Sequence, residues 1–384
     1  MSPITRAYSG TQIFDGAVLR EGLALAAHAD GRFSVLPERA LPQGCPTEAL
    51  GGGILAPGFV DLQVNGGGGV MLGDAPSVAT LRQIAQAHAG LGTQALLPTL
   101  ITDSPQATRA AIDAVGQAIA EGVAGIAGLH LEGPHLSVAR KGAHDAAMIR
   151  PMEADDLALL LKAVGQLPNL MVTVAPENVT PAQITAMADA GVIVSLGHTD
   201  ADMATCHAAF DAGARCVTHL FNAMSQLGSR APGLVGATLE REDVFAGLIA
   251  DGVHVHAATM RIALAAKPRS ERVFLVTDAM ATAGSQIETF TLGGREIFRH
   301  DGRLTLVDGT LAGADLAMAQ AVARMARDVG DTPAQALARA ITTPASLLRE
   351  RGGAGQFGAA PAIYIKDIGQ PDPQLRLLHP ATAT

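Results

Sequence analysis

The chain is short of charge, of cysteine and of long apolar runs, and each shortage removes a class of protein. Only 16% of its 384 residues are charged, against 48% hydrophobic, a balance that can bury a large core and excludes a disordered chain. The net charge of −9 comes with no cluster of Lys and Arg, so neither nucleic acid nor an anionic membrane is an expected partner. Cys45, Cys206 and Cys216 are odd in number and form no Cys-x-x-Cys pair. Neither a disulfide framework nor a thiolate zinc site is indicated, and a reducing compartment fits. No apolar run reaches the roughly 18 residues of a membrane span, and "MSPITRAYSG" lacks a basic segment followed by an apolar one. A cytoplasmic, soluble protein is the expectation.

What the chain does have is alternation. Eight short apolar runs fall between residues 57 and 280: "PGFVDLQVNG", "QALLPTL", "GIAGLHLEGP", "NLMVTVAPE", "GVIVSLGHT", "CVTHLFNAM", "FAGLIADGVHV" and "RVFLVTDAM". Segments with helix signals separate them. Ser104-Pro105 and Thr180-Pro181 each place a capping hydroxyl before a proline at the first helical position, and Gly191 stands where the second of these helices should stop. Ile112, Val115 and Ile119 share one helical face. Near-continuously apolar strands alternating with helices imply a parallel sheet with a covered outer face, and eight units imply an α/β fold closed into a (β/α)₈ TIM-like barrel. Such a barrel takes about 250 residues as one unit. Shorter, turn-punctuated stretches at 1–56 and 352–384, with about 286–312, read as a small β-sandwich domain built from both chain ends. Residues 57–285 and 313–351 are left for the barrel.

In a barrel of this kind chemistry gathers at the C-terminal ends of the strands. The polar residues there are Gln63 and Asn65, Glu132, His198, His219 and Asn222, His254, and Asp278. Singly each has a plain explanation: a hydrogen-bonded histidine, a helix-capping aspartate, a turn amide. Together, one acid and two imidazoles at the ends of strands three, five and six, with another acid at strand eight, are explained most simply by convergence on one point. Glu132, His198 and His219 make a nitrogen and oxygen ligand set suited to Zn²⁺ or Fe²⁺ with an open position for water. A metal there lowers the pKa of that water towards about 7 and polarises an acyl oxygen. Asp278 opposite it is placed to take the water's proton and return it to a leaving group. The chemistry is hydrolysis.

The motifs "PGFVDLQVNG", "LPTLIT", "HLEGPHL", "KGAH", "SLGHT", "THLFNAM", "ADGVHV", "LVTDAM" and "GTLAG", in this order and spacing, resemble those of the N-acetylglucosamine-6-phosphate deacetylases of the amidohydrolase superfamily over about residues 50–345. The resemblance implies a metal-dependent barrel that releases acetate from N-acetylglucosamine 6-phosphate, in amino-sugar catabolism. It implies Glu132, His198 and His219 as metal ligands, and Asp278 as the proton acceptor and donor. It further implies Gln63, Ala143, His144, Asn222, Ala223, His254, Leu311, Ala312 and Gly313 around the substrate, with His254 acting on the reacting group. Arg230 is implied as a phosphate ligand that reaches across a homodimer interface. Many amidohydrolases carry His-x-His on the first strand and bind a second metal; Gln63 and Asn65 stand there instead, and amides are poorer ligands. One divalent metal per chain is therefore expected, zinc before iron. The alternatives are the epimeric N-acetylgalactosamine 6-phosphate as substrate, and a non-catalytic barrel kept as an interaction scaffold.

Overall fold

The computed structural model describes residues 2–380; Met1 and residues 381–384, part of the terminal stretches assigned to the small domain, lie outside the described residues. Each of the eight apolar runs coincides with a strand of one eight-stranded parallel sheet. In chain order they are β1 (Phe59–Val64), β2 (Thr93–Ile101), β3 (Leu129–Glu132), β4 (Leu170–Val174), β5 (Ile193–Leu196), β6 (Cys216–Val217), β7 (Phe245–Leu248) and β8 (Val273–Leu275). Each pairs with its sequence neighbour, as right-handed crossovers through helices dictate. Every residue of β1, β3, β4 and β5 is buried, which is why these strands read as continuous apolar runs rather than alternating ones.

The outer helices begin and end where side-chain chemistry directs. Ser104 Oγ accepts the Ala107 N–H at 3.2 Å ahead of helix Pro105–Ala120. Thr180 and Gln183 cap helix Pro181–Ala190 reciprocally, and Gly191 closes it in the left-handed region at φ 96°. Ile112, Val115, Ile184 and Met187 face inward onto Leu131, Val172 and Val194 of the sheet.

Closure between β1 and β8 is polar. Asp278 N–H donates to the Gln63 carbonyl at 3.1 Å, and Asn65 N–H to the Ala279 carbonyl at 2.8 Å. Below them, the fully buried Asp61 accepts the Gln63 N–H and both the N–H and hydroxyl of Thr277. Burial pushes the Asp61 carboxyl up to about 7 despite these three donors.

Residues from both ends of the chain meet in one five-stranded sheet, where Ile54–Pro57 pairs antiparallel with Ala362–Lys366. A four-stranded sheet of N-terminal strands packs on it through Tyr8, Leu25, Phe33, Leu55, Tyr364 and Leu378. The segment of about 286–312 departs from the sequence expectation, because it does not pair with these terminal sheets. Thr289–Leu292, Arg295–His300, Arg303–Thr305 and Leu311–Ala314 form a four-stranded sheet of their own. The reason is packing: Leu292, Ile297 and Leu304 bury against Met71 and Met280 at the barrel mouth, so this sheet covers the C-terminal end of the barrel.

Candidate active site

The last residue of β3 is Glu132, and its Oε1 is the point on which the site converges. His198, two residues past β5, brings Nε2 to 3.1 Å from that oxygen, and His219, two residues past β6, brings Nε2 to 3.0 Å. The two imidazole nitrogens are 3.1 Å apart. All three side chains are buried. Reaching this arrangement takes unusual backbone: His198, His219 and Asp278 have φ of 48°, 27° and 51°, in the left-handed region that non-glycine residues avoid. Nothing in the sequence announces that strain.

The donor set fits a divalent cation. His198 Nδ1 is 2.9 Å from the Arg140 carbonyl, so Nδ1 holds the ring proton and Nε2 offers a lone pair. A carboxylate oxygen and two ring nitrogens directed at one another are best satisfied by a shared cation. Their separations are near those between neighbouring ligands on a tetrahedral ion held at about 2.0–2.1 Å. Without such an ion the atoms share protons: burial raises Glu132, but hydrogen bonds from His198 and His219 outweigh it and hold the carboxyl well below its usual range. Burial lowers His219, and its hydrogen bond to Glu132 prevails and raises it. His219 Nδ1 is buried without a protein partner.

Asp278 faces this cluster from beyond β8. Its Oδ1 accepts from Asn65 Nδ2 at 2.7 Å and from Gln63 Nε2 at 3.1 Å, and the same Gln63 nitrogen lies 3.2 Å from Glu132 Oε1. Burial, with the Glu132 charge added, pushes Asp278 up to about 6. His144 is packed edge-on against His198 with ring centroids 4.4 Å apart. Its Nδ1 lies 2.8 Å from the Thr102 hydroxyl and 3.4 Å from the Thr102 backbone nitrogen, which fixes the ring's orientation. Burial drives the His144 imidazole down to about 3, so it is neutral.

These groups open onto a cavity of about 400 Å³, a volume suited to a small ligand. Glu132, His198, His219, Asp278, His254, His144, Ala143, Asn222, Ala223, Leu311 and Gly313 all line it. Two expected substrate neighbours, Gln63 and Ala312, do not line it, and Arg230, expected to serve a neighbouring subunit's site, lies outside its own chain's cavity. Gln63 is buried with its amide nitrogen engaged by the two carboxylates; Ala312, in the cover sheet itself, is buried in the cluster of Leu292, Ile297 and Leu304. Arg230 is exposed and lines a neighbouring groove with Arg140, Asp200 and Gln226. Several contributors escaped the sequence reading. Arg295, from the cover sheet, donates to the Ala143 carbonyl across 152 positions, for which no sequence signal exists. Asp251 grips His254, and here the Asp-Gly turn three residues upstream was the available signal.

The arrangement can hold a cation and move a proton beside it, which is the equipment for metal-assisted hydrolysis. Comparison with known proteins agrees. The model of the amidohydrolase family matches residues 54–355. The chain is 43% identical over 324 residues to an N-acetylgalactosamine-6-phosphate deacetylase of Shewanella sp. strain ANA-3, covering 84% of this chain and 82% of that protein. It is 36% identical over 292 residues to the N-acetylglucosamine-6-phosphate deacetylase of Haemophilus influenzae, covering 75% of each. Among solved structures, the N-acetylglucosamine-6-phosphate deacetylase of Pasteurella multocida superimposes with a TM-score of 0.88 at 31% identity, over 95% of this chain and 96% of that one.

Gly313 supplies a test of this geometry. Its φ is +67°, and a Cβ there would lie 2.5 Å from the Met280 side chain and 2.8 Å from the Asp278 carbonyl. Gly313→Ala is expected to displace the Asp278 backbone and lower turnover by at least about 10-fold, while the metal content stays that of the parent. Steady-state kinetics beside elemental analysis checks this, and unchanged kinetics would show that the Asp278 loop tolerates the shift.

Proposed function

The chain belongs to the amidohydrolase family, and from that premise we propose that it is a metal-dependent deacetylase that hydrolyses the acetamide of N-acetylglucosamine 6-phosphate to glucosamine 6-phosphate and acetate. The observation that carries the reading is the Glu132, His198 and His219 triangle with Asp278 held across from it in one cavity. A divalent metal, zinc before iron for this nitrogen and oxygen set, supplies Lewis acidity there when bound. Everything else is done by the chain. Oδ1 of Asp278 is committed to two amide donors, so Oδ2 is the oxygen that exchanges protons. It takes one from water as the water adds to the acetyl carbon, and returns it to the amide nitrogen as the C–N bond breaks. A carboxyl raised to about 6 is suited to both transfers near neutrality. His144 and His254 hold the acyl and sugar groups.

The 43% identity to the Shewanella protein favours a second reading, in which the galacto epimer is the preferred substrate. Acetate release from the two sugar phosphates, compared as kcat/KM, decides the order. No release from either would reject the deacetylase reading.

A contrast of two variants separates metal binding from proton transfer. His198→Ala leaves two protein ligands and is expected to lose metal and activity together. Asp278→Asn keeps the shape but cannot take a proton. Its metal content should match the parent while kcat falls about 10²-fold or more, in line with the loss of a general base.

The phosphate is assigned to Arg230 of a neighbouring subunit in a homodimer. A guanidinium is always charged and bonds a phosphate twice, and Arg230 stands exposed on the rim rather than in its own chain's cavity. Three free cysteines, two of them buried, suit a reducing cytoplasm. Among the described residues no helix is long and apolar enough to cross a membrane. Arg230→Ala is expected to raise KM for the phosphorylated sugar far more than for unphosphorylated N-acetylglucosamine. Mixed with His198→Ala chains, it should regain about one working site per exchanged dimer, and no recovery on subunit exchange would rule out the shared site.

A further inference from the structure

Asp251 is a buried carboxylate with no part in the steps above. It lies in the turn after β7, three residues before His254, and the two side chains are 6% and 8% exposed. Its Oδ1 accepts the backbone N–H groups of Val253 at 2.9 Å and His254 at 2.8 Å. Its Oδ2 is 2.6 Å from His254 Nδ1, the short distance of a charge-assisted hydrogen bond. The turn has little freedom. Gly252 has φ +73°, and a Cβ on it would lie 2.6 Å from the Arg324 guanidinium, which is itself paired with Asp328.

Burial raises Asp251, but the hydrogen bonds from His254 and from the turn outweigh it and keep the group ionised. An ionised carboxylate only accepts, so the proton between the two residues belongs to the ring. Nδ1 is then committed, and Nε2 is the nitrogen that His254 has for the cavity it lines. The same logic governs a carboxylate behind a catalytic histidine in serine proteases, where the acid fixes the tautomer and balances the ring's charge without itself being protonated.

We propose that Asp251 is a positioning residue for the deacetylation, holding His254 with Nδ1 protonated and Nε2 presented to the substrate. Asn at 251 makes the sharpest perturbation. Its Oδ1 would keep the two backbone N–H groups, which turns the Nδ2 amide donor towards His254 Nδ1. The ring must then accept at Nδ1 and carry its proton on Nε2: the geometry is kept and the tautomer is inverted.

The inference rests on the deacetylase reading for its reaction, so the test has one arm that does not. In the metal-loaded parent enzyme, ¹⁵N NMR of labelled histidine, with the His254 signals assigned by their loss in His254→Asn, should show Nδ1 protonated. A bare Nδ1 in the parent overturns the proposal whatever the activity, and this arm decides alone should Asp251→Asn fail to fold. In folded, metal-loaded Asp251→Asn, the proton should move to Nε2 and kcat should fall about 10²-fold or more, with KM within about threefold of the parent. The double variant Asp251→Asn with His254→Asn should be no slower than His254→Asn alone, because the carboxylate acts through the ring. Losses that multiply in the double variant would make Asp251 a general structural residue and overturn the role. Failure of the parent to release acetate from either sugar phosphate would sink the deacetylase reading and leave the ring-proton result standing.

Discussion

The structure depends on holding one carboxylate and two imidazoles within about 3 Å of each other away from water. Glu132 Oε1 and the Nε2 atoms of His198 and His219 form a triangle with sides of 3.0 to 3.1 Å. Taken alone, such a cluster is unfavourable, since each group loses hydration and three acceptor atoms must share protons in place of a cation. Three residues at the site also sit in left-handed backbone, at about 1–3 kcal/mol each. Their sum is comparable with the whole stability of an ordinary domain, about 5–15 kcal/mol. It persists because the strands beneath the metal-ligand histidines are hydrogen-bonded to a neighbour on each side and buried, so the turns that carry them have no relaxed alternative that keeps the barrel closed.

Closure and chemistry use the same residues. The seam between β1 and β8 has few backbone bonds, and side chains complete it: Asp61 binds Thr277, while Gln63 and Asn65 bind Asp278. Gln63 spans Glu132 and Asp278 with one amide nitrogen. An imidazole at that position could coordinate a cation, but it could not offer two N–H bonds from one nitrogen to two carboxylates. The amide pair is therefore more than a missing ligand pair. It fixes which oxygen of Asp278 is free and ties its position to that of Glu132.

The barrel was legible because its strands are buried on both faces, which writes them as uninterrupted apolar runs, and because Ser104, Thr180 and Gly191 mark helix ends by local chemistry. Glu132, His198, His219 and Asp278 stood out as polar residues ending such runs, where a barrel makes its sites. Other features depend on contacts that no local pattern encodes. Period-two alternation showed that residues 286–312 form strands, but not which sheet they join, since that is decided by the apolar surface of Met71 and Met280. Gln63 was expected at the substrate as a polar residue at the end of the first strand. Its direction is set by two carboxylates, 69 and 215 positions away.

The cover sheet bears on which sugar the cavity prefers. In the proposed reaction the Glu132, His198 and His219 cluster and Asp278 meet the acetamide, which the gluco and galacto epimers share, so discrimination between them would come from the walls. Those walls are tied to the reacting centre: Ala314 N–H bonds the Asp278 carbonyl at 3.0 Å, and Arg295 holds the loop carrying Ala143 and His144. Their side chains are mostly apolar, with Ile101, Met280, Leu292 and Leu311 facing the cavity. Apolar contacts discriminate by only about 10–200-fold, whereas a buried polar group matched to a hydroxyl can reject its absence by about 10⁴-fold or more. Epimer choice in this cavity thus falls to the polar groups of its walls, among them Thr310, Asn222, His144, His254 and Arg140. Of these, Thr310 stands on the loop leading into the strand Leu311–Ala314 of the cover sheet, remote from the metal ligands in the chain, where it can be exchanged without disturbing the chemistry.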